Sequence, residues 1–333
     1  MQVKTLEAQH FGLYNDFLSA HPCAMFYYSL SYKALLEDFL GCKTQYLIAV
    51  SAGRIEGVLP LMSRDGLYGR VLNSLPFYGS NGGILSFNVE ARIALAEVYK
   101  DLSREYSSSV YITNPLEEIS KDCIAYDYED RRIGQWSLLK GQEDLLKSFA
   151  SSRQRNIRRA LREGIVVETT QDLEVLFTMH RQNISSKDGI YKEKRFFDSI
   201  IKHCAFGKDY RVFMAYWHGI PIAGLLVFYY GDVIEYYTPA LEYTYSTFQA
   251  LPLTIFQAMC VGYEEGYKWW NWGGTWQEQD GVYRFKHKFG AVDKTYYYYI
   301  TIHNSKILSA TKEELLSEYP YFYVIPFGEL GKV

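Results

Sequence analysis

Cysteine is sparse in this 333-residue chain: Cys23, Cys42, Cys123, Cys204 and Cys260 make five, an odd number, widely spread. None forms a CxxC pair or stands at metal-ligand spacing with a histidine. Neither a disulfide framework nor a metal site is therefore expected, and reduced thiols suit a cytoplasmic location. The first residues, Met1 to Glu7, lack the basic-then-apolar pattern of a secretion signal. Long apolar runs are also missing. None approaches the roughly 18 residues that a membrane span requires. A basic excess is absent as well, since 35 Lys and Arg face 38 Asp and Glu, for a formal net charge of −3. Coating DNA or anionic lipid usually needs a large positive surplus, so DNA is not an expected partner. The chain has no GxSxG, HExxH or Cys–His signature, which argues against the common hydrolases.

What the chain does have is apolar mass. Hydrophobic residues make up 48% of it, enough for two ordinary domains. The 31 tyrosines fall largely in strand-like runs such as 296–299, where aromatic side chains suit a pleated, half-buried surface. The clearest internal signal is a repeat about half a chain apart. Residues 46–62 and 212–228 each read as an apolar run, a glycine-bearing turn and a second apolar run, the pattern of a β-hairpin. The interior glycines Gly57 and Gly224 fit a bulge or a close backbone approach. Helical periodicity precedes each hairpin (31–40; 173–183 and 196–204). A further helix (91–106 or 253–265) and a strand (110–113 or 269–272) follow each one. Hairpin, helix, strand is an α+β order with a mixed, mainly antiparallel sheet flanked by helices. Two similar domains, 1–140 and 141–333, are expected. Their boundary should fall near 139–143, just before a helix over 144–163, and the missing low-complexity linkers suggest that the halves pack together.

That helix is rich in arginine. Leu146, Phe149, Ile157, Ala160 and Leu161 form an apolar stripe, while Arg155, Arg158, Arg159 and Arg162 cluster opposite it, and Gly164 suits a C-cap. Arg153 is the exception, because it projects among the apolar positions. The basic face reads either as a solvated helix surface or as a binding face for phosphates of a nucleotide, CoA or tRNA.

From the arginine helix onward a series of pieces follows in order. It contains Ser152-Arg153-Gln154-Arg155-Asn156, His180, Lys187-Asp188-Gly189-Ile190 and Phe196-Phe197. Beyond the hairpin come Ala250-Leu251-Pro252-Leu253 and Trp272-Gly273-Gly274. The closing string is Gly281-Val282-Tyr283-Arg284-Phe285-Lys286-His287-Lys288-Phe289-Gly290. Over about 145–290 this resembles the FemAB/FemX-like branch of the GNAT acyltransferase superfamily. The first half is looser, with a Gly-Gly turn at 76–84. The resemblance implies two tandem GNAT-like domains, acceptor side first and donor side second. It also implies transfer of an acyl group from an activated carrier to an amine, with no tightly bound cofactor. Such enzymes align an amine with an ester or thioester carbonyl and stabilise the charge that develops.

On that resemblance Lys286 is the residue expected to stabilise the oxyanion or leaving oxygen. Phe285 would help form the donor pocket, with Tyr283 beside it in the same string. Arg284, Lys288, Arg155 and Arg158 are candidates for donor phosphates. Asp280, with Glu278, could deprotonate the acceptor ammonium. The string reads as a strand, on which His287 would face away from Lys286 and Lys288. The acceptor is expected between the domains. Tyr78, Asn81 and Gly82 on the first-half turn could present polar groups to it, and Lys33, Lys187, Lys194 and Arg195 could grip a diphosphate or carboxylate.

The chain also departs from the pattern. The pyrophosphate loop of single-domain GNAT proteins is replaced by Thr247-Phe248-Gln249-Ala250-Leu251-Pro252, which leaves CoA binding unproven. The inserted helical arm of some members is missing. Asn114-Pro115 stands where FemX-like chains carry an acidic residue before proline, which removes one candidate base. Three readings follow. One is acyl-CoA transfer to an amino-sugar, a nucleotide-sugar or another small amine in cell-envelope assembly. The second is aminoacyl-tRNA-dependent ligation onto a peptidoglycan precursor, which would make tRNA a partner. The third is a non-catalytic binding module.

Overall fold

The computed structural model describes residues 1–77, 81–117, 124–185, 191–275 and 280–332. The chain divides into two compact units, Met1–Arg132 with Thr295–Val333, and Ile133–Lys294.

The first unit opens with β1 (Gln2–Thr5), α1 (Phe11–Ala20), α2 (Leu30–Leu40) and the short β2 (Lys43–Thr44). The expected hairpin follows as β3 (Leu47–Ser51) and β4 (Arg54–Leu59). Next come β5 (Met62–Arg64), β6 (Val71–Asn73), β7 (Leu85–Ser86), α3 (Val89–Ser103) and β8 (Ser108–Ile112). Local signals set the helix ends. Ser29 and Asn88 cap α2 and α3 through their side chains, and Gly41 closes α2 in the left-handed region at φ 59°. One sheet runs β1-β3-β4-β7, and a second ladder joins β8, β6, β5 and β2. The pair β6 and β8 is parallel, with α3 between them in sequence. Leu47, Leu59, Leu95, Tyr99 and Tyr111 lie in the core where α3 covers the sheet.

The second unit repeats that arrangement at larger scale. Its elements are β9 (Tyr128–Leu138), α4 (Gln142–Ser148), α5 (Ser151–Arg162), β10 (Val166–Thr170), α6 (Leu173–Ser185) and α7 (Lys194–His203). After these come β11 (Tyr210–Trp217), β12 (Ile220–Tyr230), β13 (Val233–Leu241), α8 (Ala250–Glu264), β14 (Trp269–Thr275) and α9 (Asp280–His287). Antiparallel pairing links β10 to β11, β12 and β13 in turn, and β14 to β9, while β13 and β14 are parallel. Again one helix, α8, lies between the two parallel strands in sequence. Buried Ile255, Phe256 and Met259 of α8 pack with Leu225, Val227 and Trp270 of the sheet. The architecture is α+β, with hairpin, helix and strand in the same order in both units.

Three features differ from the sequence reading. The single helix expected over 144–163 is broken, because Phe149 and Ala150 adopt extended backbone (ψ 151° and 143°) between α4 and α5. The string around Lys286 is the helix α9 and not a strand. Finally, the C-terminal segment given to the second domain packs with the first. There β15 (Val292–Ile302) pairs residues 298–302 with β8, and α10 (Lys312–Glu318) follows.

Gly57 and Gly224 are close approaches, not bulges. A Cβ on Gly224 would lie 2.7 Å from Leu176 Cδ1 of α6, and one on Gly57 would lie 2.9 Å from Leu95 Cδ1 of α3. The bulges fall nearby, at Ala215/Tyr216 and Ala49/Val50. In each unit the glycine therefore lets a helix seat directly on the hairpin.

Candidate active site

The site grows from the place where β13 and β14 part. Three register pairs hold the strands together, and the last is Glu235 with Asn271. Beyond it β14 is irregular between Asn271 and Gly274, with Gly273 at φ 72°, a conformation suited to glycine. Asn271 fixes this break. Its Nδ2 donates to Glu235 Oε2 at 2.7 Å, and its Oδ1 accepts from the Gly273 amide at 2.9 Å. Both Glu235 and Asn271 are buried. The two strands therefore diverge at a polar clamp inside the sheet, and Tyr236 and Trp272 stand just past it with ring centroids 5.0 Å apart.

The bulge leaves carbonyls that need donors, and Lys286 supplies them. Its Nζ donates to Thr275 Oγ1 at 2.8 Å, Gly274 O at 3.0 Å and Gly273 O at 3.4 Å. Thr275 Oγ1 in turn donates to Gln135 Oε1 at 3.1 Å, and Gln135 Nε2 donates to the Tyr283 carbonyl of α9 at 3.4 Å. The network thus closes on the helix that carries Lys286. Lys286 is the buried residue of α9, 4% exposed. Its acceptors among the described residues are neutral, and burial lowers its pKa to about 8. At neutral pH it is still mostly an ammonium. The arrangement is a desolvated cation held at the edge of an opened sheet, suited to stabilising negative charge that develops on a carbonyl oxygen.

Other predicted residues fall in different places. Phe285 is half-buried, packs on the core and meets Phe289 at 5.4 Å. Asp280 and Arg284 are exposed on α9 and pair with each other, which holds the Asp280 carboxyl below its ordinary value and weakens it as a base. Tyr283 donates its hydroxyl to Asp293 Oδ2 at 3.0 Å. Arg155, Arg158 and Lys288 are exposed. Glu278 and Lys187 lie outside the described residues, as does Tyr78. Lys194 is exposed and ion-paired with Glu174 and Asp198, while Arg195 is exposed beside it on the first turn of α7. In the first unit Lys33 pairs with Glu37 at 2.6 Å. Asn81 is buried with its Nδ2 3.5 Å from the Thr113 carbonyl, and a Cβ on Gly82 would lie 2.2 Å from Ser74 O. Both positions are set by packing of the turn.

Sequence reasoning missed Gln135, Thr275, Asn271 and Glu235. Each is an ordinary polar residue in a strand, and only the long-range pairing gives it a role. Arg153 was marked as the exception on its helix, and it is buried. The absence of a metal-ligand spacing also needs qualifying. His21, Cys23 and Glu117 bring ligand atoms within 4.8 Å of one another. Glu117 is engaged there by Arg92 at 2.5 Å and faces His21 Nε2 at 3.4 Å, so the cluster is already neutralised internally. A cavity of about 250 Å³ lies elsewhere, lined by Glu174, Met179, Pro221 and Glu242 among others, and it includes none of the partners of Lys286.

The stretch that carries this split parallel pair and the buried lysine also matches a known domain. Residues 147–287 fit the family model described as an acetyltransferase (GNAT) domain. The second unit is a GNAT domain. As a whole the chain has a FemX-like tandem GNAT fold, and the GNAT domain supports a transferase. The crystal structure of FemX superposes with a TM-score of 0.72 at 16% identity, covering 92% of this chain and 98% of that one. The tandem GNAT protein from the clavulanic acid biosynthesis pathway gives 0.52 at 11%, covering 91% and 98%. A GNAT-family acetyltransferase from Colwellia psychrerythraea gives 0.52 at 9%, covering 91% and 100%. At these identities the likeness is one of fold. No curated protein matches the chain. Among the described residues no helix is long and apolar enough to cross a membrane.

In place of a glycine-rich pyrophosphate loop, this GNAT domain has a 3₁₀ turn, Tyr243–Phe248, and then Gln249 at φ 61° as the N-cap of α8. Gln249 uses its Nε2 on the Ser246 carbonyl at 3.0 Å. No side chain caps the amino end of α8.

Proposed function

We propose that the chain is an N-acyltransferase that moves an acyl group from acyl-CoA to an amine of an amino-sugar or cell-envelope precursor in the cytoplasm. The observation that carries this reading is Lys286, a buried ammonium held by neutral acceptors where β13 and β14 separate within a GNAT domain. The acyl carbonyl lies in the opening, with Phe285 packed against the carrier. The acceptor amine attacks the carbonyl carbon, and the C–S bond to the carrier breaks. Negative charge passes from the tetrahedral oxygen to the departing thiolate, and the amine releases its proton to water. The Lys286 ammonium stabilises that charge by field and by exchanging its longest bond, to Gly273 O, for the substrate oxygen.

The competing donor is aminoacyl-tRNA, which the FemX-like resemblance implies and the Arg155 and Arg158 face of α5 could accept. Radiolabelled acetyl-CoA and, separately, charged tRNA are offered to the purified protein with amino-sugar nucleotides and muropeptide precursors. The expected result is labelled amide from acetyl-CoA alone. Transfer from tRNA alone would overturn the choice of donor, and binding of neither donor would favour a non-catalytic module.

A further inference from the structure

Arg153 is not explained by the site described so far. It lies on the first turn of α5 and is 7% exposed. Its guanidinium sits over two aromatic rings, 4.7 Å from the Phe285 centroid and 4.5 Å from that of Phe289. Both are faces of apolar rings, which offer a cation attraction but no hydrogen-bond acceptor. Its buried Nε has no hydrogen-bond partner, and among the described residues no carboxylate reaches it within ion-pair distance. The phenol of Tyr236, at the opening of the sheet, acts on its charge. Burial lowers its pKa to about 10, so the guanidinium keeps its charge at neutral pH while losing hydration.

Its position adds to that cost. A cation at the first turn faces the positive end of the helix dipole. The N-cap of α5 is Ala150, which has no side-chain acceptor, and no side chain caps this helix. The amino end of α5 thus combines uncapped backbone amides with a buried guanidinium, and both call for negative charge. The same helix start is tied to the end of α9 by the Ala150 amide, which donates to Lys288 O at 3.0 Å. Phe285, directly before Lys286, forms one wall of the arginine's seat.

We infer that Arg153 and the amino end of α5 form an anion receptor for a phosphate group of the acyl carrier, beside Phe285 and next to the reacting lysine. This rests on the acyl-transfer reading for the identity of the carrier. The receptor itself is tested without it. The stacked rings hold the guanidinium plane, and its edge donors remain for phosphate oxygens in the two-pronged geometry that arginine offers. The exposed arginines of the same helix, Arg155 and Arg158, have no such fixed seat.

The test is calorimetric titration with inorganic pyrophosphate, desulfo-CoA and a short RNA hairpin ending in an acceptor stem. Wild type is compared with Arg153→Met and Arg153→Lys, and with Arg54→Met, an exposed arginine of the first unit, as control. Pyrophosphate affinity is expected to fall at least tenfold in Arg153→Met, to fall less in Arg153→Lys, and to stay within twofold in Arg54→Met. Tighter binding of desulfo-CoA than of the hairpin, lost in the same variants, identifies a CoA carrier; the reverse order identifies an RNA carrier with the same receptor. Should Arg153→Met fail to fold, the ¹⁵Nε–¹H signal of Arg153 in wild type, assigned with Arg153→Lys, must shift on adding pyrophosphate. Equal pyrophosphate affinity in wild type and the Arg153 variants, or an unmoved Nε signal, would overturn the receptor. Receptor binding without any acyl transfer would leave the receptor standing and remove the acyltransferase reading instead.

Discussion

Replacing Lys286 with alanine is expected to lower the rate of acyl transfer by about 10²-fold or more, with a much smaller change in donor KM. A factor of 10² corresponds to about 2.7 kcal/mol of transition-state stabilisation, the scale measured for a single oxyanion-hole donor. The effect should fall on kcat because the charge that Lys286 meets exists only as the tetrahedral centre forms. In the resting site its Nζ is satisfied by Thr275 Oγ1 and two carbonyls. Little ground-state binding is therefore lost with it. A rise in KM at constant kcat, measured by steady-state kinetics on a folded variant, would instead assign Lys286 to donor binding.

The second large effect concerns stability. The ammonium of Lys286 is buried among neutral acceptors, and its pKa falls from 10.5 to about 8. Between those values the unfolded chain binds the proton and the folded one does not. Wild-type stability should therefore rise with pH across that window, by on the order of 3 kcal/mol from this group. Below pH 8 both states are protonated and the full cost of burying the cation is present. Lys286→Met removes the titration, so urea unfolding of both proteins at pH 7 and pH 10.5 isolates it. Lys192, also lowered to about 8 by burial, is common to both and cancels in the difference. The gap between wild type and Lys286→Met should shift by about 3 kcal/mol in favour of wild type as pH rises. A gap independent of pH would mean that Lys286 is hydrated in solution. At pH 7 the methionine variant loses the buried charge but leaves the bulge carbonyls short of a donor. Its net stability there is a contest between two terms of similar size.

Much of the fold was legible because local chemistry and long-range pairing agree. The hairpins at 47–59 and 210–230 announce themselves by an apolar run, a glycine turn and a second run, and both form. The repeat was visible for the same reason. Two things could not be read from spacing. One is the break between α4 and α5, where nothing but the backbone of Phe149 and Ala150 interrupts an otherwise helical pattern. The other is the return of the C-terminal strand to β8, which depends on contacts nearly two hundred residues apart in sequence.

The site was legible only in part, and for a physical reason. Lys286 stood out by its surroundings in the string, yet a strand was read where a helix forms. Aromatic residues at 283, 285 and 289 suit either period. The helix matters, because it places Lys286 inward while Arg284 and Lys288 are exposed. Asp280 and Arg284, drawn together by their adjacency to the lysine, sit four residues apart on the helix surface and satisfy each other. The supporting network of Gln135, Thr275 and Asn271 is made by strand pairing and has no sequence signature. Arg153 left a trace, a charge on the apolar side of its helix, and that anomaly pointed to the one arginine there that is buried.

The most direct check of the central claim is the pH dependence of kcat for wild-type transfer with acceptor amine saturating. If the protonated, desolvated Lys286 stabilises the developing charge, the rate must fall on the alkaline side with an apparent pKa near 8. A rate that keeps rising from pH 8 to pH 10, or that falls only near the ordinary lysine value of 10.5, would contradict the account.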